Sequence, residues 1–104
     1  MKILLAEDSF LITKWLNASI DDSKYQFVNL STRAELFSRA GDENWDLIIS
    51  NIRLKDGNLS ENDLLDLTKF TSKMAVISGF KPFFNAVKWI EKPLSMRKVE
   101  DLLF

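Results

Sequence analysis

Three features of this sequence predict a doubly wound α/β domain built on a five-stranded parallel sheet. Five apolar runs, Lys2 to Ala6, Tyr25 to Leu30, Asp46 to Ser50, Met74 to Ser78 and Val87 to Glu91, are each too short for a helix. The stretches between the first four carry apolar residues at helical spacing. The third run is apolar without alternation at Leu47 to Ile49, as in a strand buried on both faces, then breaks abruptly into Ser50 and Asn51. Strand and helix alternating along a chain require parallel crossovers. With 104 residues, 46% of them hydrophobic, residues 1–104 suffice for one domain around one core.

Each element has local support. The first strand ends at Glu7-Asp8. Ser9 is a helix cap, followed by Ile12, Trp15, Leu16 and Ile20 at helical spacing, and Asp21-Asp22-Ser23 stops that helix. Tyr25, Phe27 and Leu30 supply the apolar positions of the second strand. Thr32 and Glu35 have the three-residue spacing of a capping box and open a helix containing Leu36, Phe37 and Ala40, with Gly41 at its end. Ser60 and Asp63 repeat that spacing before Leu64, Leu65, Leu67 and Phe70, all expected to face the core. Lys92-Pro93 closes the fifth strand, because proline cannot extend it as an interior residue. Ser95 caps a last helix carrying Val99, Leu102 and Leu103.

Composition excludes several activities. No cysteine is present, so disulfides and thiolate catalysis are ruled out. Histidine is also absent, which argues against a zinc site and removes the commonest general base. A net charge of −1 and a pI near 5.4 argue against direct nucleic-acid binding. No run approaches membrane-spanning length and no signal peptide is evident, so the expected location is cytoplasmic.

In an open α/β sheet, chemistry sits at the carboxyl ends of the strands. Those ends carry Glu7-Asp8, Asn51, Ser78 and Lys92-Pro93. Each has a plainer reading when taken alone. The acidic pair suits a helix N-terminus, Asn51 a turn, Ser78-Gly79 a strand exit and Lys92-Pro93 a strand stop. In order, they resemble the receiver domain of two-component response regulators over essentially the whole chain. The loop N-I-R-L-K-D-G at Asn51 to Gly57 is similar to the family's D-x-x-L-P-D-G, and Trp89 stands where that family often carries a switch Tyr or Phe.

The resemblance implies a flavodoxin-like fold and a site in which the acidic pair and an Asp hold Mg²⁺. The Asp attacks a phosphoryl donor, and the Ser and Lys hold the phosphate oxygens. Asn51 replaces that Asp. An amide carries no charge and cannot form an acyl phosphate, so Asn51, Ser78 and Lys92 make a degenerate phosphorylation site. Mg²⁺ favours several anionic oxygens, and the carboxylates fall from three to two, Glu7 and Asp8. Two such charges about 4 Å apart repel by roughly 4 kcal/mol at a dielectric near 20. With the third gone, Lys92 can pair with Asp8 without a metal, its amine is expected within salt-bridge reach of Asp8 or Glu7, and a weak or empty Mg²⁺ site is expected.

Other departures lie in the loops. Lys55 and Leu59 replace a usual Pro and a frequent Gly. The connection from Ser78 to Lys92 is about eight residues shorter than the family norm, against the dozen residues of a parallel crossover. A shortened or missing fourth helix is therefore expected. Phe80, Phe83, Phe84 and Trp89 cluster there, and the 80–89 face is the expected surface for a protein partner or for self-association. The reading is a non-enzymatic pseudo-receiver. Its rivals are a small Mg²⁺-dependent phosphoryl-handling enzyme using Glu7, Asp8 and Lys92, the regulatory module of a longer response regulator, and a flavin-binding module. The last needs a phosphate loop where Glu7-Asp8 would repel its ligand.

Overall fold

The computed structural model describes residues 1–7, 25–71, 73–79, 87–92 and 95–103. Five strands form one sheet: β1 (Lys2–Ala6), β2 (Gln26–Leu30), β3 (Leu47–Asn51), β6 (Met74–Ser78) and β7 (Lys88–Glu91). Their order is β2-β1-β3-β6-β7, and every neighbouring pair is parallel. Three helices are present among the described residues: α1 (Arg33–Ala40), α2 (Glu61–Leu67) and α3 (Met96–Leu103). The expected first helix, and the shortened or missing fourth helix, fall in 8–24 and 80–86, outside the described residues.

Alternation along the strands sends neighbouring residues to opposite faces. Leu4, Ala6, Ile48 and Val76 join Leu36 and Ala40 of α1 and Leu64 and Leu67 of α2 in one core. Ile3, Leu5, Ile49 and Ile77 join Val99 and Leu103 of α3 in the other. The sheet is thus covered on both faces, which makes it doubly wound. β3 lies at its centre and is buried throughout, which accounts for the continuous apolar run read from the sequence. No helix among the described residues is long and apolar enough to cross a membrane.

Two local expectations need correction. Leu65 and Phe70 do not face the core; they are 46% and 40% exposed. α2 has only seven residues, and at 100° per residue its buried stripe holds Leu64 and Leu67 but turns Leu65 outward. Phe70 follows the helix in the turn, near Gly41, where an added Cβ would sit 3.6 Å from the ring. The cap at Thr32 also differs from a full capping box. The Thr32 hydroxyl accepts from the Glu35 N–H (3.2 Å) and donates to the Glu35 carboxylate (2.7 Å). The reciprocal box forms at Ser60 and Asp63, where backbone and side chain exchange both bonds.

The loop after β3 is more ordered than a plain turn. β4 (Arg53–Leu54) and β5 (Gly57–Asn58) pair antiparallel around Lys55-Asp56. Gly57 has φ 140°, a conformation that side-chain-bearing residues rarely adopt. Leu59 is buried and donates its N–H to the Ile52 carbonyl at 2.8 Å. The leucine that replaces a frequent glycine therefore anchors this hairpin into the core.

Candidate functional site

The chain runs from β1 outward to β2, then returns past β1 to β3, so the winding reverses between β1 and β3. A crevice opens at such a reversal, outside the carboxyl ends of the strands. The register Ala6↔Ser50 sets Glu7 beside Asn51 there. On the other side, Asn51 pairs with Ile77 and Ser78 with Glu91, which brings Ser78 and Lys92 to the same end. Lys92 is held in line by its own N–H, which donates to the Ser78 carbonyl at 2.9 Å.

Glu7 is the buried centre of this group, 2% exposed. The Asn51 Nδ2 amide donates to its Oε1 at 3.3 Å, and Lys92 Nζ lies 3.6 Å from its Oε2. The sequence places Lys92 within salt-bridge reach of Asp8 or Glu7, and it lies against Glu7. A carboxylate can only accept, so the amide presents its NH₂ to Glu7, as an aspartate at 51 could not when ionised. Asp8 and Pro93 lie outside the described residues.

Mg²⁺, which the resemblance implies, meets a poor donor set here. Among the described residues no group of three His, Cys, Asp or Glu side chains could hold a metal ion. Among the described residues the one carboxylate at these strand ends, Glu7, already faces an ammonium and an amide NH₂, both repulsive to a cation. Glu7, Asn51 and Lys92 by themselves do not fit a divalent cation.

Trp89 is half-buried, and its indole N–H donates to the Ser78 hydroxyl at 2.9 Å. The expected switch aromatic is therefore tied to a member of the strand-end group. Phe80, Phe83 and Phe84 lie outside the described residues, so of the expected partner surface only Val87, Lys88 and Trp89 are described.

Two features were not read from the sequence. A cleft of about 390 Å³ is lined by Asn51, Ser78, Gly79 and Lys92 on one side and by Arg53 and Asn58 of the hairpin on the other. The hairpin is in turn clasped to α1. The Asp56 carboxylate accepts from the N–H groups of Arg33 and Ala34 at the start of that helix. Arg33 in turn forms a fork with Asp63 at 2.6 and 3.2 Å. The hydrogen bond from Arg33 drives the Asp63 carboxyl from 3.8 down to about 2. The backbone N–H groups of Arg33 and then Ala34 pull the Asp56 carboxyl down. The bond to Asp63 likewise raises Arg33. Arg33 and Asp63 are thirty positions apart, and nothing in their local sequence pairs them.

No protein-family model and no curated protein matches the sequence. Solved structures do. CheY4, a chemotaxis response regulator of Vibrio cholerae, is 17% identical with a TM-score of 0.77, over 98% of each chain. A response regulator receiver domain protein from Methanospirillum hungatei is 20% identical with the same TM-score, over 96% of this chain and 87% of that one. A response regulator from Burkholderia pseudomallei, solved with a phosphorylated aspartic acid, is 15% identical with a TM-score of 0.80; the match covers 99% of this chain and 66% of that one. The fold is the receiver fold. In this chain Glu7, Asn51, Ser78 and Lys92 stand together at the carboxyl ends of its strands.

Proposed function

We propose that this chain is a pseudo-receiver, which takes part in signal transduction through protein contacts and without phosphorylation of its own. The observation that carries the proposal is the Asn51 amide donating to the buried Glu7 carboxylate, with Lys92 closing the other side. The buried Glu7 anion faces a cation and accepts a hydrogen bond from an amide, and the position expected of the nucleophile is filled by a side chain without nucleophilic oxygen chemistry. The receiver fold supports a signalling role, and the working face is the segment 80–89 with β7. Its described part is a sheet edge with half-buried Trp89 between exposed Lys88 and buried Ile90, the kind of edge that pairs with another chain unless blunted by charge.

Mass spectrometry after incubation with acetyl phosphate and Mg²⁺ tests the first half. The wild-type mass stays unchanged, and a stoichiometric phosphoryl adduct would refute an inert site. Asn51→Asp should gain labelling if the surrounding residues remain in working positions. For the second half, pull-down with wild type against Phe83→Ser and Trp89→Ala is informative. Capture or self-association is lost in both variants while their circular dichroism is retained. Undiminished binding by both would move the partner surface elsewhere.

A further inference from the structure

We infer that Lys98 locks the outer edge of β7 and so keeps a second copy of this chain from adding a strand there. The lock regulates the edge already proposed as part of the working face, and it rests on that reading of β7. Among the described residues no strand lies beyond β7. Backbone groups of successive residues in a strand point to opposite sides. The register Ser78↔Glu91, with the Lys92 N–H donating to the Ser78 carbonyl at 2.9 Å, turns Ile90 and Lys92 towards β6. Trp89 and Glu91 therefore direct their N–H and C=O groups away from the sheet. On that outer side the Lys98 ammonium donates to the Glu91 carbonyl at 2.8 Å.

The helix sets this arm in place. The Lys98 N–H donates to the Ser95 hydroxyl at 3.3 Å and the Val99 N–H to the Ser95 carbonyl at 3.1 Å, so Lys98 stands in the capped first turn of α3. Val99 and Leu103 anchor that helix in the core that also holds Ile90. A groove of about 340 Å³ lies between the two elements, with Trp89 and Ile90 on the strand side and Asp101 and Leu102 on the helix side; Lys98 reaches across it. A lysine that finds a nearby carbonyl is ordinary. Here the carbonyl is one that strand pairing needs. Two copies can meet antiparallel with Trp89 opposite Trp89, an aromatic pair that sets Lys88 opposite Ile90 and no like charges opposite each other. The flanking pairs, Val87 opposite Glu91, draw on the Glu91 carbonyl. An incoming strand must displace the Lys98 ammonium from that acceptor or bury it unpaired, which is costly. Lysine guards sheet edges in this way.

Sedimentation equilibrium and amide hydrogen exchange on the full chain test the lock. In wild type the Trp89 and Glu91 amides should exchange quickly while those of Ile90 and Lys92, bonded to β6, are protected. Lys98→Met keeps most of the stem and removes the donor. It should self-associate about tenfold more tightly than wild type or better, the size of a hydrogen bond to a charged group, with the Trp89 and Glu91 amides newly protected. Lys98→Arg, which retains a charged donor, should behave as wild type. Glu91→Pro removes only an outward N–H, which an edge strand tolerates, and added to Lys98→Met it should abolish the gain. Protected Trp89 and Glu91 amides in wild type would overturn the proposal. So would a Lys98→Met variant that associates no better than wild type, or whose association survives Glu91→Pro. Undiminished partner capture by Phe83→Ser and Trp89→Ala would instead strike at the working face and leave this amide pattern untouched, so the two failures are distinct.

Discussion

Burying a carboxylate as deeply as Glu7 costs several kcal/mol unless a partner compensates it. Lys92 at 3.6 Å supplies an attraction of about 4–5 kcal/mol at an effective dielectric near 20, part of which the desolvation offsets. Asn51 adds a donor without adding charge. Replacing it with Asp would set a second carboxylate where the amide stands, 3.3 Å from Glu7. At the same dielectric the repulsion is about 5 kcal/mol, enough to raise one carboxyl of the pair above its usual range. An acid whose folded-state value is raised loses stability as pH climbs past its unfolded value and regains it as pH falls through the raised one. Asn51→Asp should therefore melt lower than wild type at neutral pH in EDTA, and the gap should narrow in acid or on adding Mg²⁺. Thermal melts under the three conditions check this. A variant as stable as wild type in EDTA would mean that Glu7 and position 51 do not interact.

At the level of elements, the connection between β3 and α2 matters most, because it forms one wall of the cleft. Its hairpin would be marginal alone, with two residues per strand. Asp56 and the Arg33–Asp63 fork bind it to α1 and α2, so three elements hold one another. The sign of the pH effect follows from Asp63. Its folded-state carboxyl is lowered from 3.8 to about 2, so its contribution is fully present above the ordinary value and is lost as pH falls through the lowered one. Asp56, also lowered, acts in the same direction. Wild type should lose stability between those two values, and Asp63→Asn should flatten that part of the curve. Urea midpoints across the acid range measure it. Hydrogen exchange at 53–58 should also quicken in the variant, since fewer contacts then hold the hairpin closed.

At the scale of the whole molecule, the described residues form a sheet between two cores that share no side chain. Ile48 belongs to the core with α1 and α2, and Ile77 to the core with α3. Ile48→Val and Ile77→Val should each cost about 0.5–1.5 kcal/mol. Because the deleted methyl groups lie on opposite faces, the double variant should equal the sum within about 0.5 kcal/mol. Urea unfolding of the three variants decides it, and a large coupling would mean the sheet transmits strain between its faces. The same two-sided covering holds the strand ends in register at the crevice, and so the site is a property of the whole sheet.

Much of this was legible because it is local or periodic. Apolar runs of strand length, their polar ends, and helical spacing between them specify a parallel α/β sheet through burial alone, and four of the five strand ends carry the candidate site residues. Ser60 and Asp63 could be read as a cap because a capping box spans three residues. That an amide at residue 51 cannot form an acyl phosphate likewise follows from the side chain's chemistry alone. Tertiary structure decided what depends on distant partners. Leu65 faces outward because a seven-residue helix buries a narrow stripe. Asp56 and Asp63 meet Arg33 across more than twenty residues. Arg53 and Asn58 reach the cleft only because the loop folds back on itself as a hairpin. Whether Glu7 answers to a metal or to Lys92 and Asn51 likewise rests on angstrom separations between strand ends, which hydrophobic pattern does not encode.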